Sequence, residues 1–120
     1  MTHEHATGWW EQDGLGRQPM EALVVAIGDG RVEGSGVDVV GAFTLEGEVA
    51  ASGEVRATKR YLGGHAVRYA GRWDGRARLW GRWRLFLASG PWEIRLKRAD
   101  EGAEAERAAA AEPLSVGAAR

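Results

Sequence analysis

Between residues 59 and 69 the chain places a lysine, two tyrosines and a histidine at odd-numbered positions: Lys59, Tyr61, His65 and Tyr69. An ammonium, two phenolic hydroxyls and an imidazole gathered on one face would suit a carboxylate or a phosphate. Their neighbours of the same parity, Val55, Ala57, Val67 and Trp73, are apolar, so the polar four point wherever the apolar ones point. Taking a lysine out of water costs several kcal/mol unless it is paired or near solvent. Lys59 therefore sits at an open mouth, meets an acid, or meets an anionic ligand. A lysine snorkelling at a strand end, with tyrosines capping the core, is the plain structural alternative. His65 equally suits a hydrogen-bonded position at a rim, and it would gain charge as pH falls through about 6.5.

Other chemistries find little support. His3 and His5 form a His-x-His pair, but two ligands on an N-terminal segment expected to be mobile make a poor metal site, and no metal is expected. Ser35, Ser52, Ser89 and Ser115 lack the Gly-x-Ser-x-Gly context of a nucleophile elbow. Gly34-Ser35-Gly36 is too short for a phosphate loop and has no following lysine. Asp38 and His65 would make an acid–base pair if they met, although a chain with seventeen acids offers many such pairs. No catalytic constellation stands out, so neither an enzyme nor a cofactor is expected.

A second candidate is basic. Arg56, Arg60, Arg68, Arg72, Arg76, Arg78, Arg82 and Arg84 all fall at even positions, with Trp80 among them. Residues 56–98 hold twelve bases and two acids, whereas residues 1–55 hold ten acids and two bases, and the whole chain has a net charge of −1. Arginines around a tryptophan can bind single-stranded nucleic acid, or they can bury against a second chain, where Trp and Arg are enriched. They can also pair with acidic strands of the same sheet. Between the two external roles the oligomer interface is preferred, with Arg68, Arg78, Trp80 and Arg82 at its centre, and nucleic acid is the weaker partner.

The elements that must position these residues are short strands. Gly and Asp-Gly marks recur at Asp13-Gly14, Gly28-Asp29-Gly30, Gly63-Gly64, Asp74-Gly75 and Ser89-Gly90, and such residues supply the positive φ of tight hairpins. Between them the chain predicts strands near 8–12, 20–27, 31–39, 42–49, 54–61, 65–73, 76–87 and 91–98. Along 76–87, Leu79, Trp83 and Leu85 alternate with Arg78, Arg82 and Arg84, which puts one face in and one out. Eight strands of ~8 residues with short loops come to about 90 residues, close to the length of segment 8–98. A meander of that size gains by closing, because closure pairs its edges. A two-sheet sandwich is the alternative.

Gly8-Trp9-Trp10 at the head of the first strand resembles the Gly-x-Trp signature of the calycin barrels, and the eight-strand meander is most similar to the avidins among them. The resemblance covers about 8–98 as topology. It implies that Trp10 plugs one end of the barrel, with a cation of the last strand, Arg95 or Lys97, packed over it. No set of polar residues matches the avidins' biotin contacts, so biotin is not implied.

The expectation is an all-β domain at 8–98: a single closed or nearly closed antiparallel up-and-down barrel of about eight strands. A flexible N-terminus (1–7) precedes it, and an Ala/Glu-rich tail (99–120), helical or disordered, follows. There is no cysteine and no apolar run near the ~18 residues that span a bilayer. The N-terminus is polar and acidic where a secretory signal would be basic and then apolar. A cytoplasmic location and no membrane partner follow as expectations. In function, the residues point to a non-catalytic module that binds a small anionic or amphipathic ligand at the barrel mouth through Lys59, Tyr61, His65 and Tyr69. The alternative is an interaction or homo-oligomerisation domain using the outer Arg/Trp face.

Overall fold

The computed structural model describes residues 1–98. Eight antiparallel strands follow in chain order: β1 (Glu4–Gln12), β2 (Gly16–Gly28), β3 (Arg31–Val37), β4 (Ala42–Val49), β5 (Glu54–Tyr61), β6 (Ala66–Trp73), β7 (Arg78–Leu85) and β8 (Ala88–Leu96). Each pairs with its successor, and β8 returns to β1 with Ala6 opposite Leu96 and Trp10 opposite Trp92. The sheet is a closed barrel, not a sandwich, and no strand edge is left unpaired. Among the described residues no helix is long and apolar enough to cross a membrane. The tail from residue 99 lies outside the described residues.

Strand boundaries differ from the sequence expectation most at β1 and at the last hairpin, and β2 also starts earlier, at Gly16. β1 begins at Glu4, so residues expected to be flexible belong to the sheet: Glu4 pairs with Val25 and Ala6 is buried. The single small residue Ala6 is the only apolar mark there, too slight to read as alternation. The last hairpin does not turn at Ser89-Gly90; its two-residue tip is Phe86-Leu87, with Phe86 at φ 53°. Gly90 serves packing instead. A Cβ there would lie 1.9 Å from the Glu11 carbonyl oxygen and 2.8 Å from the Trp83 indole nitrogen.

Inside, the alternation holds with one shift. Val55, Tyr61, Val67, Tyr69, Leu79, Trp83, Trp92, Ile94 and Leu96 are buried at the odd or even positions of their strands as the pattern requires. In β2 the phase changes: Met20 and Leu23 both face inward across a bulge at Ala22, whose φ is 50°. Gly71 and Gly81 lie opposite each other on β6 and β7, and a Cβ on either would sit 1.9 Å from a carbonyl oxygen of the neighbouring strand. The barrel has two distinct ends. One, the mouth, carries the loops β1–β2, β3–β4, β5–β6 and β7–β8; the other carries the remaining loops and the start of β1.

Candidate functional site

The inward face of β5 carries Lys59 and Tyr61 toward the mouth, and β6 brings Tyr69 alongside, with Ala57 opposite Tyr69 in the register. Lys59 points inward as its parity requires, but it is not solvated: its side chain is 1% exposed. Of the three settings open to an inward lysine, it takes the acid. The partner is Asp38, whose side chain is 0% exposed although it belongs to the β3–β4 loop. The loop turns its carboxylate into the barrel. The amides of Val40 and Gly41 donate to Oδ1 at 2.9 and 3.4 Å. Oδ2 accepts from Lys59 Nζ at 2.6 Å, from Tyr61 OH at 2.8 Å and from Trp10 Nε1 at 3.0 Å. Lys59 also donates to Tyr69 OH at 3.3 Å. Its ammonium lies 4.3 Å from the Phe43 ring centroid and 5.4 Å from that of Trp10, which adds cation–π attraction in a dry setting.

Burial alone would raise the Asp38 carboxyl. The hydrogen bonds from Lys59 and Tyr61, the Lys59 charge and the Val40 amide outweigh it and hold that carboxyl below its ordinary range. Burial lowers the Lys59 ammonium, while the bond to Asp38 and its charge pull the other way. Burial, with Asp38 nearby, keeps the Tyr61 and Tyr69 hydroxyls protonated far above their ordinary range. The consequence is chemical. Asp38 has its acceptor sites filled and cannot act as a free base. Lys59 has its charge neutralised and offers no open cation.

Above this cluster, Trp10, Gln12, Val40, Tyr61, His65, Val67, Tyr69, Trp83 and Leu85 line a pocket of about 70 Å³ in the mouth. Within the interior Trp10 stands edge-on to Trp83 and Tyr69 is tilted against Trp92. His65 does not join Asp38. It precedes β6, is exposed at the rim and lies with its ring 5.1 Å from Tyr61. Lys59, Tyr61 and Tyr69 are thus brought together below the pocket, and His65 stands at its edge.

The remaining candidates divide. Trp10 is buried in the mouth half of the barrel, and the cation beside it is Lys59. Arg95 is not over Trp10; it lies on the outer face 3.6 Å from Glu93, because its even neighbours Ile94 and Leu96 take the inward positions. Lys97 is exposed beyond the end of β8. On the outer face of β7, Arg78 stacks on Trp80 at 4.3 Å and donates to Glu93, which also accepts from Trp9 Nε1. Arg82 reaches Ser89 Oγ at 3.3 Å, and Arg68 stands opposite Arg84. His3 lies 3.8 Å from Glu33. Among the described residues no group of three metal-ligating side chains comes together.

Sequence reasoning missed Asp38 as the partner of Lys59. The usable signal was the need itself: an inward lysine calls for an acid at the same end of the barrel, and the Asp38-Val39-Val40-Gly41 loop holds one. Fold and site together define a closed eight-stranded antiparallel barrel with a buried ion pair beneath a small aromatic mouth. In comparisons with known proteins, no family model and no curated protein matches the chain.

Proposed function

We propose that this protein is a non-catalytic, calycin-like binding module that receives the apolar end of a small amphipathic ligand in its mouth. The observation that carries the reading is the pocket itself: aromatic and aliphatic walls over a neutralised polar floor, with His65 and Gln12 at the edge. A ligand's polar head would stay at that edge. The pocket's volume is well below the ~300–1,000 Å³ of sites that enclose a drug-sized molecule, so only a chain end or a single ring enters. Lys59, already paired, adds little for an anionic head, which would meet the His65 ring at the edge.

The test is a series of straight-chain carboxylates and the matching alcohols, followed by thermal shift and by tryptophan emission, since Trp10 and Trp83 line the site. Binding should strengthen with chain length up to the few carbons the pocket holds and then level off. Leu85→Trp should fill the pocket and abolish the response with the fold intact. A flat response across both series would overturn the reading.

A second reading, an interaction surface on the outer face, draws on Arg68, which pairs with no carboxylate among the described residues, and on the half-exposed Trp80. The cover that Arg78 already provides for Trp80 counts against it. Trp80→Ala should lower the sedimentation mass of the protein if that face joins copies.

A further inference from the structure

Six large apolar side chains are exposed on the four loops of the mouth: Leu15, Val39, Val40, Leu62, Phe86 and Leu87. Phe86 is 89% exposed and Leu87 fully so, at the tip of the hairpin between β7 and β8. That tip holds its φ of 53° at a phenylalanine, where glycine would fit without strain. Neither burial nor turn chemistry explains the pair, and exposed large apolar side chains gathered at one end of a barrel mark an interaction site.

The surroundings say what kind. No Asp or Glu occurs from residue 55 to 73 or from 75 to 92. Arg60 and Arg84 each stand two residues from the tips Leu62 and Phe86, on the outer face, and Arg68 lies directly opposite Arg84. Like charges opposed across a sheet repel. No carboxylate among the described residues pairs with these three, although Arg17, Arg31, Arg56, Arg78 and Arg98 all have one. Two residues of strand span ~6–7 Å. A tip entering the acyl boundary by ~5–10 Å would therefore set the arginines at the level of the headgroups.

We propose that the mouth rim docks on the surface of an anionic phospholipid bilayer, with Leu62, Phe86 and Leu87 inserted and Arg60, Arg68 and Arg84 on the phosphates. Charge and geometry agree on this occupant: apolar tips with, directly beneath them, a basic layer that no carboxylate among the described residues neutralises. That no helix among the described residues is long and apolar enough to cross a membrane does not bear on it, since the tips only enter the surface. The proposal rests on the loops and the arginines and stands independently of the pocket.

The probe is sedimentation of the full chain with vesicles of phosphatidylcholine alone or with about one-third phosphatidylserine. Binding should require phosphatidylserine and fall steeply from ~0.1 to ~0.5 M salt. Phe86→Gly with Leu87→Ser should cut vesicle partition at least about tenfold, while the melting temperature holds or rises because glycine relieves the positive φ. Arg68→Gln with Arg84→Gln should remove most of the salt dependence. Absence of wild-type binding to either vesicle overturns the proposal, as does undiminished binding by the tip variant. A concentration-dependent dimer that the tip variant dissociates, without vesicle binding, would also overturn it and assign the rim to a second copy.

Discussion

Lys59 and Asp38 meet inside the barrel with both charges out of water, and each is tolerable only because of the other. Breaking such a pair leaves a lone buried charge. Lys59→Ala is therefore expected to cost ~3–5 kcal/mol in urea unfolding. Replacing both partners, as Lys59→Met with Asp38→Asn, should recover most of that loss, since the asparagine keeps an acceptor for Trp10 or Tyr61. A single variant as stable as the wild type would show that water reaches the pair. Acid behaviour follows from the same pair. Asp38 is held below the ordinary range of its carboxyl, as are Asp74, through the amides of Arg78, Arg76 and Ala77, and Glu93, through Arg78 and Trp9, each below its own ordinary range and against its own burial. A carboxyl lowered by folding adds stability above its unfolded pKa and loses it as pH falls through the folded one. The urea midpoint should hold down to about pH 5 and decline below about pH 4. A rise on acidification would contradict the assignment.

At the scale of elements, β6 and β7 approach each other through a pair of glycines. Gly71 faces Gly81 with no room for a methyl group on either. Gly71→Ala is expected to push the strands apart and cost ~1–3 kcal/mol or more, which in a domain of this size lowers the melting temperature by roughly 10 °C. Gly63, at a turn with positive φ and open space around it, should respond through backbone strain alone. The outer and inner tryptophans of neighbouring strands make a second comparison. Trp92 is 2% exposed and Trp80 is only half-buried beneath Arg78. Trp92→Ala should cost the ~3–5 kcal/mol of a core tryptophan and Trp80→Ala clearly less, measured side by side by denaturant titration. Equal losses would mean that the outer face packs as a core does.

For the whole molecule, closure is complete within the described residues: β8 ends at Leu96 and pairs with β1 through Ala6 opposite Leu96. Every strand has two neighbours, so stability is shared around the ring and does not depend on an edge. A chain ending at Arg98 is expected to melt within a few degrees of the full chain. A collapse on truncation would show that residues 99–120 hold the barrel together. The two ends of the barrel also differ in character. The mouth combines the packed aromatic pocket with exposed apolar loops, and Arg60, Arg68 and Arg84, which pair with no carboxylate among the described residues, flank that end on β5–β7.

By itself, the sequence determined the class of fold. Strict alternation in β5 to β8, such as Leu79, Trp83 and Leu85 against Arg78, Arg82 and Arg84, is a local property, and glycine-marked turns at short spacing leave no room for crossover helices. It determined that Lys59, Tyr61 and Tyr69 face inward, because parity alone sets the face of a side chain. It did not determine the ends of β1 and β8 or the bulge at Ala22, where a small residue or a glycine used for packing carries no periodic signal. Nor did it determine what Lys59 meets. Lys59 and Asp38 lie 21 residues apart on different elements, and only closure of the barrel puts them within a hydrogen bond. The same closure moved the cation beside Trp10 from Arg95 to Lys59 and gathered Leu15, Leu62, Phe86 and Leu87 from separate loops onto one rim. Alternation is written in neighbouring residues; contacts between distant strands arise from how the sheet curves on itself, and that is a property of the folded whole.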